Sequence, residues 1–298
     1  MTLNTSDYTL AYLSPAAAGL GGIFARPRAI AILCIVALTG LGWVYLGLLA
    51  GGNIAGGNIA GGGDFLGLFG ALCRPVGSAA FLMPSGSWTL ADLALAFLMW
   101  SAMTLAMMLP SAGPMILTYA EIADTAARKR EQVVSPFLLA AGYAAIWLGF
   151  ALAACLLQAA LTRAALIEDG LGPANGLLSG ALFLGAGLYQ FSAFKQACLT
   201  LCQRPFPFLF VNWTTKAAGV FRLGLRQGLH CLGCCWAMML LMFALGVMNA
   251  AWMVALGILM TGEKLFATPR LSRLLGAAFI AVGLAFILAA VARAAVLG

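Results

Sequence analysis

Long apolar segments, each nearly free of charged residues, recur along the chain. A helix needs about 20 mostly apolar residues to cross the hydrocarbon core of a bilayer. Seven segments meet or approach that length, at residues 29–50, 89–110, 136–161, 174–194, 227–246, 248–262 and 274–296. The sequence therefore predicts an all-α, polytopic membrane protein with about seven transmembrane helices.

The composition excludes several other classes of protein. Of the 298 residues, 63% are hydrophobic and 8% are charged, whereas a soluble domain carries about 45–50% apolar and about 25% charged residues. Too few polar side chains remain to cover a water-facing surface, so a soluble globular protein and a disordered chain are excluded. The formal net charge of +7 is assigned to cytoplasmic loops rather than to a nucleic-acid surface. The sequence also lacks a nucleotide-binding loop, so neither nucleic acid nor a nucleotide is an expected partner.

The distribution of Lys and Arg predicts the orientation in the membrane. With seven spans and a cytoplasmic N-terminus, three of the 16 basic residues lie outside, namely Arg74, Arg163 and Arg293. Joining the fifth and sixth spans into one would place five basic residues outside. The positive-inside rule therefore favours seven spans and a multi-pass protein of the cytoplasmic membrane.

The expected domain organisation is simple. A cytoplasmic tail at 1–28 precedes a single transmembrane domain at 29–298. Within that domain, residues 51–88 form a Gly-rich outer loop, which we expect to be flexible. The residues with recognisable chemistry lie in a core at 99–264.

Five of the eight cysteines and the only histidine fall in two short groups. The groups are Cys198 and Cys202, and then His230, Cys231, Cys234 and Cys235. Residues three or four apart share one face of a helix, so each group presents its thiols together. Both groups lie on the cytoplasmic side of the predicted topology, where structural disulfides are not expected. Two helix ends that each offer a pair of thiols suit a four-coordinate metal site.

Three interpretations of these cysteines are open at this point. Metal binding is the first, and thiol–disulfide exchange and ordinary helix packing are the others. Free cysteine packs well as a small buried hydrophobe. The neighbours Cys234 and Cys235 make a poor redox pair, because a disulfide between adjacent residues is strained.

A methionine stripe lies in the second predicted span. Met99, Met103 and Met107 recur every four residues, and Met108 follows directly. Thioether and thiolate ligands are soft and select Cu(I) over magnesium, calcium or manganese. We therefore predict Met103, Met107 and Met108 as auxiliary ligands of a copper site, although methionine is also a flexible filler in helix packing. Zinc and iron are the next choices for the cysteines.

The predicted spans contain few other side chains that could bind a metal or act in catalysis. Glu263 stands at the inner end of the sixth predicted span, where it is placed either to complete a metal site or to pair with Lys264, Lys195 or Arg226. With one histidine and few carboxylates, hydrolytic chemistry lacks a general base. The sequence therefore favours metal binding over catalysis. His230 and Glu263 are predicted as further ligands of the metal.

Several motifs in the core combine into a specific pattern. They are Ala106-Met107-Met108-Leu109-Pro110, the pair Cys198 and Cys202, and the run from Cys231 to Trp236. Further positions of the pattern are Tyr189, Gln190, Lys195, Arg204, Pro205, Gly228, Met238, Met239, Gly246, Met248, Asn249, Trp252, Glu263 and Lys264. This pattern resembles a bacterial family of predicted metal-binding integral membrane proteins, whose domain has no assigned function. The resemblance implies metal binding and a membrane location, and it does not extend to His230 or the outer loop.

These features predict a metal-handling protein of the bacterial inner membrane. Copper is the expected ion, with a role in its delivery, in assembly of a membrane enzyme, or in transport. The expected partners are the lipid bilayer and a membrane enzyme or metallochaperone. A membrane thiol oxidoreductase is the alternative of another class, and a structural subunit of a larger membrane complex is the third hypothesis.

Overall fold

The structure is a computed structural model. It describes residues 88–129, 133–167, 174–247, 250–266 and 269–297, together with Val36 and Gly40. The N-terminal tail, the predicted first span apart from those two residues, and the outer loop up to residue 87 lie outside the described residues.

Within these ranges the chain is all-α and forms eight helices. In chain order they are α1 (Leu90–Arg128), α2 (Pro136–Arg163), α3 (Gly176–Gln190), α4 (Ala193–Gln203), α5 (Pro205–Val211), α6 (Ala217–Leu245), α7 (Ala250–Leu265) and α8 (Pro269–Leu297). A helix therefore lies at each predicted span from the second to the seventh.

Four of these helices are long and apolar enough to cross a membrane. They are α1, α2, α6 and α8. Helices α3 and α4 make a fifth candidate if they form one span bent by 66°. Helix α7, with 16 residues, is shorter than the length of about 20 that a full crossing needs. The described part of the chain is thus compatible with a membrane protein of four or five spans, and the count of seven stays a prediction.

Two predicted boundaries differ from the structure. The second span was expected to end at Pro110, but α1 continues through Pro110 and Pro114 to Arg128. Proline has a helical φ, so a helix continues past it where neighbouring groups compensate for the lost backbone donor. The fourth span was expected as one helix over 174–194, but the helix is interrupted at Phe191 and Ser192. Ser192 caps α4, since its side chain accepts from the backbone N–H of Lys195 at 3.1 Å.

Two pairs of helices pack closely through glycine residues. Helices α2 and α6 meet at glycines, because a Cβ added to Gly142 would lie 3.1 Å from the Cα of Gly224. Helices α3 and α8 meet in the same way, with a Cβ at Gly180 only 3.0 Å from the carbonyl oxygen of Gly283. Small residues allow backbones to approach this closely. The bundle is therefore held by contacts within the chain, with α6 between α2 and α4.

Candidate metal centre

Three thiols converge on one face of α6. The Sγ atoms of Cys231, Cys234 and Cys235 all lie within 4.8 Å of one another. The three side chains are buried, with exposed fractions of 2–3%. Their positions i, i+3 and i+4 place them on one face, as the sequence predicts.

A fourth thiol comes from another helix. Cys202, near the end of α4, has its Sγ 4.0 Å from that of Cys234. The Sγ atoms of Cys234 and Cys235 are 3.3 Å apart. The two cysteine groups of the sequence therefore meet in space, and we call Cys202, Cys231, Cys234 and Cys235 the cysteine cluster.

Polar groups from two other helices contact Cys231, and both of these groups also contact α1. The ammonium of Lys264 on α7 donates to the Cys231 Sγ at 3.0 Å and to the Ser111 hydroxyl of α1 at 2.8 Å. It also lies 3.9 Å from the Sδ atom of Met108. The hydroxyl of Tyr143 on α2 is 2.9 Å from the Cys231 Sγ and donates to the Met108 carbonyl at 3.0 Å. The cluster is thus joined to α1, α2 and α7.

Lys264 places a positive charge beside the thiols. It lies outside the four apolar spans and at the end of α7. Burial opposes its charge, but the neighbouring Cys231 and Cys235 outweigh that effect and raise the pKa of Lys264 well above its usual value. A cation in this position favours the thiolate, which is the form that binds metal.

The other predicted ligands are placed around the cysteine cluster rather than in it. Cys198 packs its Sγ against Gly233, which lies between Cys231 and Cys234 in α6. His230 is half-buried, and its ring contacts that of Phe208 with centroids 5.9 Å apart. Met103 and Met107 are buried in α1.

Glu263 is engaged elsewhere. Its carboxylate accepts from the Lys195 ammonium of α4 at 2.7 and 2.9 Å and from the Ser272 hydroxyl of α8 at 2.7 Å. The ammonium of Lys195 also donates to the Gln190 side chain. Of the two roles that the sequence leaves open for Glu263, the structure shows the ion pair.

Sequence reasoning missed two groups of the site. Tyr143 and Ser111 contact Cys231 and Lys264, but a lone tyrosine or serine in an apolar segment carries no pattern. Tyr143 stands 88 residues from Cys231 in the chain. Only the packing of α2 against α6 brings them together.

Gly233→Ala is expected to weaken metal binding without removing a thiol. A Cβ at this position would lie 2.6 Å from the Cys198 Sγ, so either the Cys198 side chain must rotate or α4, which carries Cys202, must shift on α6. Overpacking of this kind costs about 1–3 kcal/mol. Where the metal-bound arrangement bears that strain, the affinity should fall by about 5–150-fold. Chelator competition measures it, with Gly185→Ala as the control because nothing lies within 4 Å of that position. Unchanged affinity in folded Gly233→Ala protein would show that metal binding does not depend on the close packing of Cys198 against α6.

The fold and the site define a helical protein with long apolar helices and a buried cysteine cluster that is able to hold a metal ion. A family model described as PpoB2, copper chaperone, matches residues 97–286, and the chain therefore belongs to this copper chaperone family. No curated protein and no solved structure matches the chain. The match supports the metal handling that the motifs predict, and among the candidate ions it favours copper.

Proposed function

We propose that this protein is a membrane copper chaperone that holds Cu(I) at the cysteine cluster and passes it to an acceptor protein. The observation that carries the proposal is the convergence of four thiols from α4 and α6, with Cys202 4.0 Å from Cys234. Thiolates are soft ligands that suit Cu(I) and do not suit magnesium or calcium. The copper chaperone family supports the choice of copper over zinc or iron.

The ligands have different roles in this proposal. Cys231, Cys234 and Cys235 form the buried part of the site, and the Met108 thioether stands on its far side, next to Lys264. Cys202 is the only partly exposed member of the cluster. Copper therefore exchanges with other proteins at Cys202, where a thiol or imidazole of the other protein is able to replace one ligand at a time.

The proposed location and partners follow from the same features. Four or five apolar helices support insertion in a bilayer, and the positive-inside rule places the cysteine cluster on the cytoplasmic side of a bacterial inner membrane. A chaperone requires an acceptor, which we propose to be a copper-using membrane enzyme. Glu263 acts here through its ion pair with Lys195, which holds α7 against α4.

Cys231→Ser/Cys234→Ser is expected to remove Cu(I) binding. Detergent-purified protein is loaded with Cu(I) without oxygen, and bound copper is measured by mass spectrometry and by chelator competition. The affinity should fall by at least about 100-fold. Substitution of a residue that only supports a metal ligand already costs about 10–100-fold, and here two ligands themselves are removed. Cys155→Ser is the matched control, because Cys155 is equally buried but contacts only the Leu93 carbonyl of α1 at 3.5 Å among the described hydrogen bonds.

The result also separates copper binding from thiol redox chemistry. Full copper in the double variant would contradict the proposal. A membrane oxidoreductase would instead bind no copper and would form a reversible disulfide, for which Cys202 and Cys234 are the best-placed pair on two helices. Mass-shift labelling of the thiols detects it. A copper site should resist alkylation until the metal is removed.

A further inference from the structure

Methionine is confined to three helices of the described chain. All ten methionines described are buried, none of them more than 3% exposed. They lie on α1, α6 and α7, which meet at the cysteine cluster, and the described parts of α2, α3 and α8 contain none. Helix α1 carries Met99, Met103, Met107, Met108 and Met115.

The remaining methionines continue the pattern on the two partner helices. Helix α6 carries Met238, Met239 and Met242, and α7 carries Met253 and Met260. Methionine commonly fills gaps in helix packing. General gap-filling does not explain why the long apolar helices α2 and α8 pack without methionine, while three helices around one thiol site hold all ten of the described methionines.

Contacts between the helices show that the methionine runs of α1 and α6 lead in one direction. At the cluster, Met108 of α1 and Cys231 of α6 both contact Lys264. Further along, the ring of Trp100 lies 5.2 Å from that of Phe243. Helices α1 and α6 are therefore antiparallel, and their methionines extend away from the cluster together.

Helix α7 packs against α1 at and next to the cluster. A Cβ added to Gly257 would lie 3.8 Å from the Cε atom of Met107, whereas Lys264 is at the cluster. At 1.5 Å per residue, the runs from Met108 to Met99 and from Lys264 to Met253 each cover about 14–17 Å. That length is about half of the ~30 Å hydrocarbon core.

We propose that the methionines of α6 and α7, together with Met99, Met103 and Met107 of α1, form a thioether relay. The relay is a series of weak Cu(I) sites that leads from the cysteine cluster into the bundle. Because the relay takes its copper from the cluster, it rests on the proposed function. Each step is a ligand exchange in which a Cu–S bond to one side chain breaks as a Cu–S bond to the next forms. Copper remains Cu(I), and no electron is transferred. The thiolates left behind keep the ammonium of Lys264 as their counter-charge.

The test uses protein labelled with selenomethionine. Full-length protein is loaded with excess Cu(I) without oxygen, freed of unbound metal and examined by X-ray absorption at the selenium edge. A copper neighbour around selenium is expected. Met103→Leu/Met107→Leu/Met242→Leu should lose most of that contribution, and leucine preserves the packed volume. Met115→Leu is the control, because Met115 is buried in α1 but lies beyond Ser111, on the other side of the cluster.

Copper content of the same samples separates the two proposals. Bound copper without a selenium–copper contribution would overturn the relay and leave the cysteine site intact. An undiminished contribution in the triple variant would overturn it as well, because Met108, which lies beside the cysteine cluster, accounts for only a small part of the expected signal. Protein that binds no copper at all would instead contradict the proposed function.

Discussion

Lys195→Met is expected to destabilise the folded protein by about 3–5 kcal/mol, because it leaves the Glu263 carboxylate buried without its cationic partner. The two side chains are 1% and 2% exposed, and their charged atoms are 2.7 Å apart. The pair joins α4 to α7, and Ser272 adds α8. Loss of the pair should also weaken copper binding, since Cys202 lies two turns further along α4.

Thermal unfolding followed by tryptophan fluorescence measures the effect in detergent. Lys195→Met/Glu263→Leu should recover much of the lost stability, because an apolar pair leaves no unpaired charge. Lys216→Met is the control, since Lys216 is exposed. If Lys195→Met unfolds at the temperature of the wild type, the ion pair does not hold these helices together.

Gly142→Ala is expected to disrupt the bundle even though it adds a single methyl group. The new Cβ would meet the Phe221 carbonyl and lie 3.0 Å from the backbone nitrogen of Leu225. Neither is a flexible side chain, so α2 and α6 must separate. Overpacking costs about 1–3 kcal/mol and occasionally more. Tyr143 would move with α2, so its contact with Cys231 should be lost too.

Gly149→Ala is the matched control for this substitution. Gly149 lies in the same helix, and nothing stands within 4 Å of a Cβ built there. Alanine is favoured over glycine inside a helix by about 1 kcal/mol, so Gly149→Ala should be neutral or slightly stabilising. Similar unfolding temperatures for the two variants would show that the close contact of α2 and α6 is not required.

The sequence determined those features that depend on neighbours along the chain. Long apolar segments require helices, because backbone groups in an apolar surrounding must bond internally. The spacing of Cys231, Cys234 and Cys235 sets three thiols on one face through the periodicity of the helix alone. The cysteine and methionine motifs were also sufficient to indicate a metal-binding family, and the match to a copper chaperone family agrees with them.

The tertiary structure decided which distant groups meet. It brought Cys202 to Cys234, placed Lys264 and Tyr143 beside Cys231, and paired Glu263 with Lys195 rather than with the thiols. It also broke the fourth predicted span at Ser192, which turns α4 toward α6. These contacts join residues tens of positions apart, and they depend on where glycines let helices approach. Local periodicity contains no information about such approaches. The three thiols of α6 therefore follow from helix spacing alone, whereas the meeting of Cys202 with them rested on the predicted topology until the packing of α4 against α6 showed it.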